Sequence, residues 1–236
     1  MLIQIPNRNR FIAMLMAISF IPSKGYQIAL NESGFICPVL AEDESMNIVF
    51  KSNAISSFEV EKLLRLSVPD IDSFKKFFKN LPSKDGVVEY DEHLNSITHD
   101  KIKLSLNGPD VIPGKITSSK PLKDEWYRVE IEEVDPLYEM CSHTKIGDKV
   151  EITNRKINLH TWDIKVAVTD NNNEEVGEEF KTFLDRDMLK TVTKIHKKVG
   201  DGSMYIKIFQ DPGVPLVQMR GEGVSYTAYC GKYNEG

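Results

Sequence analysis

Apolar and polar positions follow two different periods along the chain, and together they predict an α+β fold. Apolar residues at helical spacing predict four helices, over Asn7–Phe20, Ile71–Leu81, Leu137–Ile146 and Met188–Val199. Strict alternation between these segments predicts antiparallel strands, for example over Tyr26–Leu30, Met46–Ser52 and Lys149–Thr153. A strand is also expected over Ile164–Val168, and Phe58–Leu66 fits either a strand or a short helix. Asp135 is the expected cap of the third helix, and Asp185 or Asp187 that of the fourth. We expect each strand to bury one face under a helix, with helices on one face of antiparallel sheets.

The segment 108–124 differs in composition from the sequence on either side. It contains Gly108, Pro109, Pro113, Gly114 and Pro121 but few large side chains. Because prolines stiffen a chain that lacks a core, this stretch is typical of an extended linker. We therefore predict a first domain over 1–107, a connecting linker over 108–124 and a second domain over 125–236.

The order of predicted elements occurs twice. In both halves a helix leads through a glycine, Gly25 or Gly147, into an alternating strand. Later in each half, a second helix leads into a glycine-bearing turn and a hairpin, at Gly86 and at Gly200. A duplicated α+β domain explains this repetition economically, and coincidence is the alternative.

Charge is distributed unevenly in a chain that is acidic as a whole. The net charge is −5, which excludes a uniformly basic surface for nucleic acid. The second and fourth predicted helices nevertheless place lysines opposite their apolar stripes, with Lys75 and Lys198 on the flanks: Lys75, Lys76 and Lys79, then Lys190, Lys194, Lys197 and Lys198. Clustered like charges repel, so a polyanion is the partner that such faces favour, although a soluble helix surface is the simpler alternative for either helix alone.

Signals of catalysis and metal binding are missing from the sequence. Phosphate-binding, dinucleotide-binding, zinc-protease and serine-hydrolase motifs do not occur, and the five histidines show no metal-ligand spacing. We therefore expect no catalytic residue, no metal and no cofactor. Cys37, Cys141 and Cys230 indicate a reducing compartment, and the apolar run Phe11–Ile21 is too short to cross a bilayer and is expected to be a buried helix rather than a signal peptide.

Several segments resemble the PCNA-like sliding clamps of DNA replication. The helix Arg8–Phe20 with the following strand and Ser33-Gly34 turn is similar to the start of a clamp, and Val68–Phe78 is similar to the helix after its central strand. The clearest similarity is the closing hairpin, Gly213–Val217 followed by Gly221–Tyr229. Cys230-Gly231-Lys232 departs from the usual tail, so a divergent archaeal or viral clamp is expected.

The resemblance implies a ring and a set of partners. Subunits of two clamp-type domains would join head to tail, as a homotrimer, encircle duplex DNA without reading bases and tether the DNA polymerase. A clamp loader and proteins with short clamp-binding peptides would be further partners, with no membrane partner and no enzyme activity. The chain would act inside the cell, in the cytoplasm or nucleoid, in a nucleus, or as a virus-encoded protein in its host.

The resemblance also assigns residues to two surfaces. The DNA-facing side chains would be the seven lysines named above, with Arg8, Arg10 and Lys145 as additional contacts. An apolar pocket for partner peptides would be formed by Leu40, Ile112, Leu122, Pro215 and Tyr229, for which plain core packing is the alternative.

Three other functions remain open on the sequence. The first is a monomeric or dimeric viral processivity factor that holds DNA by charge without closing a ring. The second is a checkpoint-type clamp subunit that assembles only with different chains. The third is a hydrolase or transferase of another fold, against which the missing catalytic motifs argue.

Overall fold

The computed structural model describes residues 1–31, 34–57, 64–82, 86–106, 125–145, 148–170, 174–175, 181–209, 216–222 and 226–231, without the side chains of 125–126, 201, 216–222 and 229–231. The chain divides into two compact units, Met1–Glu44 with Ile48–Ile116 and Thr117–Gly236 with Ser45–Asn47. The linker predicted over 108–124 lies outside the described residues.

Within the described residues, the first unit contains two helices and nine strands. Its helices are α1 (Arg8–Ile18) and α2 (Ile71–Lys79). Its strands are β1 (Leu2–Gln4), β2 (Tyr26–Asn31), β3 (Gly34–Leu40), β4 (Met46–Ser52), β5 (Ser56–Ser57), β6 (Leu64–Val68), β7 (Val87–Asp91), β8 (Ser96–His99) and β9 (Ile102–Ser105). They form antiparallel sheets with the strand orders β5-β1-β7-β8-β9 and β4-β3-β2-β6.

The second unit has the same inventory. Its helices are α3 (Val134–His143) and α4 (Arg186–Val199). Its strands are β10 (Glu125–Ile131), β11 (Lys149–Thr153), β12 (Lys156–Leu159), β13 (Trp162–Lys165), β14 (Ala167–Asp170), β15 (Lys181–Asp185), β16 (Asp201–Phe209), β17 (Leu216–Glu222) and β18 (Tyr226–Gly231). Their strand orders are β14-β10-β16-β17-β18 and β13-β12-β11-β15.

The two units are topological repeats of each other. Adding nine to each strand number of the first unit reproduces both strand orders of the second unit. The position of each helix along the chain is also kept, since α1 and α3 follow the first strand of a unit and α2 and α4 follow the sixth. The predicted α+β duplication is therefore confirmed at the level of topology.

Aromatic rings form the core under the helices of the first unit. Phe11 of α1 is fully buried, and its ring meets Phe78 at 4.9 Å, Phe35 at 5.4 Å and Phe74 at 6.4 Å between centroids, all edge to face. Such edge-to-face arrangements add to the hydrophobic gain from burying the rings. The apolar run that also fitted a signal peptide is thus the buried stripe of α1.

Aliphatic residues replace these rings in the second unit. Leu137 and Met140 of α3 and Leu189, Val192 and Ile195 of α4 are fully buried. The strand β11 alternates as predicted, with Val150 and Ile152 buried between half-buried or exposed neighbours. Both units therefore bury the apolar stripes of their helices.

Three details of the elements differ from the sequence-based expectations, and one ambiguous segment is decided in part. The strand β1 has only three residues and went unpredicted. The helix α3 begins at Val134, so the expected cap at Asp135 is wrong; Glu133 is the N-cap, without a side-chain hydrogen bond. The single strand expected over Ile164–Val168 is two strands, because Val166 leaves the ladder and its N–H donates to the Arg155 carbonyl at 3.0 Å. The ambiguous segment Phe58–Leu66 ends in a strand, β6, and its residues 58–63 lie outside the described residues.

We expect Phe11→Ala to lower the free energy of unfolding by about 3–5 kcal/mol, because it removes the ring that all three partners contact. Leu94→Ala is the control, since Leu94 is 62% exposed. Urea unfolding followed by circular dichroism measures both variants. Equal midpoints for the two would contradict the assignment of Phe11 to the core.

Candidate nucleic-acid interface

The helix α2 presents lysines on the face opposite its core. The Asp70 side chain caps the helix by accepting the Asp72 N–H at 2.9 Å, and Ile71, Phe74, Phe77 and Phe78 are buried. Lys76 and Lys79 are exposed in the last turn, where a cation also interacts favourably with the helix dipole. Among the described residues neither ammonium group forms an ion pair. Lys75 differs, because its ammonium pairs with Asp72 one turn earlier and it is only 23% exposed.

The helix α4 repeats this arrangement in the second unit. The Asp185 carboxylate accepts the N–H groups of Asp187 and Met188 at 2.8 and 2.9 Å, which confirms Asp185 as the cap. Lys194, Lys197 and Lys198 are exposed and Lys190 is half-buried. Each unit therefore carries one helix with several lysines on its outer face.

One contact in each unit joins the start of its first helix to the end of its second. In the first unit, the Arg8 guanidinium donates to the carbonyl of Lys79. In the second unit, the Lys197 ammonium pairs with the Asp135 carboxylate at 2.7 Å and lies 4.5 Å from the centre of the Tyr138 ring. Because each contact links a first turn to a last turn, the two helices of a unit run antiparallel. Two of the predicted DNA contacts, Arg8 and Lys197, thus also hold helices together.

A buried arginine fixes the other end of the α3–α4 pair. Arg186 is 4% exposed, and its guanidinium donates to the Thr144 carbonyl at 2.6 Å just beyond the last residue of α3. Its backbone N–H donates to the Asp148 carbonyl at 3.1 Å. The Asp148 carboxylate in turn accepts the Lys145 N–H at 2.8 Å and bonds His160 at 3.0 Å, and the His160 contact lowers the Asp148 pKa. Arg186 gave no sequence signal, because an arginine next to a helix cap is normally exposed.

His196 anchors the C-terminal end of α4 to the sheet. It is 6% exposed, its Nδ1 lies 2.9 Å from the Tyr226 hydroxyl and its Nε2 lies 3.0 Å from the Gly202 carbonyl. The hydroxyl can donate to Nδ1 while the Nε2–H donates to the carbonyl. This pattern fits a neutral imidazole with its proton on Nε2. Burial raises the Tyr226 pKa. His196 is therefore a core residue.

The two remaining predicted DNA contacts are exposed. Arg10 lies in the first turn of α1, where its N–H donates to the Asn7 side chain at 3.0 Å, and Lys145 follows α3. The assignment of all ten side chains to DNA stays a prediction.

The predicted peptide pocket lies largely outside the described residues. Leu40 ends β3 and is 48% exposed. Ile112, Leu122 and Pro215 lie outside the described residues, as does the side chain of Tyr229 on β18. This pocket stays a prediction.

Groups suited to metal or thiol chemistry are not assembled in the described part of the chain. No cluster of three or more His, Cys, Asp or Glu residues there could hold a metal ion. Cys37 and Cys141 are free and buried. Burial raises the pKa of both thiols, that of Cys141 to about 12, so both are protonated at neutral pH and neither is a reactive thiolate. None of the described helices is long and apolar enough to cross a membrane.

The fold is that of the PCNA-like clamps. The chain has a TM-score of 0.70 with the Proliferating Cellular Nuclear Antigen of Entamoeba histolytica, at 10% identity and covering 99% of this chain and 98% of that one. It has a TM-score of 0.69 with a chain of the PCNA2–PCNA3 complex from Sulfolobus tokodaii, at 10% identity and covering 98% and 99%. No protein-family model matches the sequence, and no curated protein is similar to it. The resemblance to the clamp fold is therefore confirmed by structure rather than by sequence.

We expect Arg8→Ala to lower the free energy of unfolding by about 1 kcal/mol, because it removes the guanidinium of α1 that donates to the Lys79 carbonyl in the last turn of α2. Arg10→Ala is the matched control, since it removes the same charge two residues away without breaking a helix-to-helix contact. Equal urea midpoints for the two variants would show that the Arg8 contact contributes nothing to stability.

Proposed function

We propose that this chain is a DNA sliding clamp that encircles duplex DNA and tethers a DNA polymerase, and that it has no enzyme activity. The observation that carries the proposal is the pair of lysine-bearing helices, α2 and α4, at equivalent positions of a duplicated clamp fold. Duplex DNA would pass along these helices, inside the cell. The same fold supports the further partners expected above, a loader and short clamp-binding peptides.

The chemistry of lysine suits a sliding contact. An ammonium group on a flexible stem binds phosphate as a point charge, without the fixed geometry of a guanidinium. Such contacts neutralise backbone charge and carry no sequence information. A protein that makes several of them can stay on DNA and still move along it. The acidic remainder of the chain accounts for the net charge of −5.

Open sheet edges support assembly into a ring. In the described part of the chain, β9 and β13 are edge strands, and each carries an exposed apolar side chain, Ile102 at 44% and Trp162 at 42%. Unpaired edge strands with exposed apolar groups favour pairing with another chain. Pairing of β9 from one copy with β13 from the next is head to tail, and such contacts close a ring when their rotation divides a full turn. The resemblance to clamps implies a homotrimer, in which three copies place six similar units around the ring.

We expect the combined change of Lys76, Lys79, Lys194 and Lys198 to Ala to abolish processive synthesis, because it removes four phosphate contacts. The matched control changes Lys24, Lys51, Lys149 and Lys181 to Ala, which are exposed and lie on strands or a bend, outside the four helices and outside β9 and β13. Primer extension on singly primed circular DNA with the cognate polymerase and loader gives product length. Long products from the α2–α4 variant, or equal losses in both variants, would contradict the proposed DNA path.

A second test addresses the ring. We expect light scattering to give the mass of a trimer for the unaltered chain and of a monomer for Ile102→Glu, because a carboxylate on β9 would be buried without a partner. Leu94→Glu adds the same charge at a more exposed apolar residue outside the strands and should remain trimeric. A monomer for the unaltered chain at working concentration would favour the factor that does not close a ring.

A further inference from the structure

The outer faces of the two helix pairs differ in charge, although the units share one topology. The first turn of α1 carries Arg8 and Arg10 and no acid. The first turn of α3 carries Asp135, and Glu133 immediately precedes the helix. The repeat therefore has a base in one unit and an acid in the other at the place where the first helix meets the end of the second.

This difference changes what happens to the lysine at the end of the second helix. In the first unit, Arg8 takes the backbone carbonyl of Lys79, so the Lys79 ammonium remains at the surface, with no ion pair among the described residues. In the second unit, the Asp135 carboxylate pairs with the Lys197 ammonium itself, at 2.7 Å between Oδ1 and Nζ. The Tyr138 ring lies on another side of the same ammonium, at 4.5 Å, and both groups hold it toward α3.

The pair is accessible and weak enough to be exchanged. Lys197 is 38% exposed and Asp135 is 77% exposed, so solvent screens their attraction. The carboxylate raises the Lys197 pKa, so the ammonium is charged at neutral pH. A DNA phosphate arriving at α4 would have to displace Asp135, or else leave Lys197 unused and approach the carboxylate.

We infer that Asp135 withholds Lys197 from DNA, so that the α4 face binds phosphate through one lysine fewer than its sequence offers and holds DNA more loosely than it would with Lys197 released. This inference rests on the proposed function and identifies a residue that sets the strength of its DNA contact. A looser contact on one unit would ease movement along the duplex, since each phosphate contact must break for the clamp to advance.

The test is binding of the full chain to a fluorescent duplex, measured by anisotropy across a range of salt concentrations. We expect Asp135→Asn to raise the affinity at low salt roughly threefold. We also expect the slope of log affinity against log salt to steepen by about 0.9, the value for one added phosphate contact. The gain should vanish in the double variant Asp135→Asn with Lys197→Ala, because Lys197 is the group released.

Glu133→Gln is the matched control. It removes the same charge two residues away from a side chain that is exposed and makes no capping hydrogen bond, and it leaves the Asp135–Lys197 pair intact. An equal gain in this control, or a gain that survives in the double variant, would mean that general charge is responsible and would overturn the inference. An unchanged affinity in Asp135→Asn would overturn it as well.

The outcome separates this inference from the proposed function. If the unaltered chain binds the duplex, and the loss of Lys76, Lys79, Lys194 and Lys198 weakens it, the DNA path stands whatever Asp135 does. If the unaltered chain does not bind the duplex even at low salt, the proposed DNA path fails and the inference fails with it. Thermal unfolding of each variant checks that the helix pair remains folded, since Asn keeps a polar side chain in the first turn of α3.

Discussion

The burial of one apolar stripe on each helix is the constraint on which the rest of the structure depends. In the first unit the stripe is aromatic, centred on Phe11 and Phe78, and in the second it is aliphatic. Once the stripe is buried, helical geometry places the residues between its members outward. The lysines of α2 and α4 therefore reach the surface because Phe78 and Ile195 are buried, and the same packing that stabilises a unit also arranges its charge.

Antiparallel helices require their ends to be satisfied, and the two units do this with different chemistry. Arg8 supplies a donor to a backbone carbonyl, whereas Asp135 supplies a carboxylate to a side-chain ammonium. Both solutions join the same two turns of the repeat. The duplicated topology therefore tolerates opposite charges at one position, and the choice decides how many cations a unit presents to solvent. Divergence after duplication can change the electrostatics of such a fold while leaving its strand order intact.

The sequence was sufficient for the fold class, the four helices and the duplication, because these depend on local periodicity and on glycines at repeated positions. It was insufficient for the short strand β1, whose three residues carry too little pattern, and for the start of α3, where Pro136 suggested a later cap. The lysine faces were visible because their spacing is regular within one helix. The partners of Lys197 and Arg186 were not visible, since their contacts depend on packing between segments distant in the chain.

An identity of 10% to solved clamps, with nearly complete coverage, shows how little of the sequence this fold demands. Positions in the buried stripes need only be apolar and of suitable size, so they diverge freely. Under the proposed function surface charge would be constrained in another way, because a chain with net charge −5 can approach DNA only if its cations are segregated from its acids. Segregation by helix, with α2 and α4 basic and the start of α3 acidic, meets this requirement without any single residue having to be kept. A shared fold can therefore survive where sequence similarity has been lost.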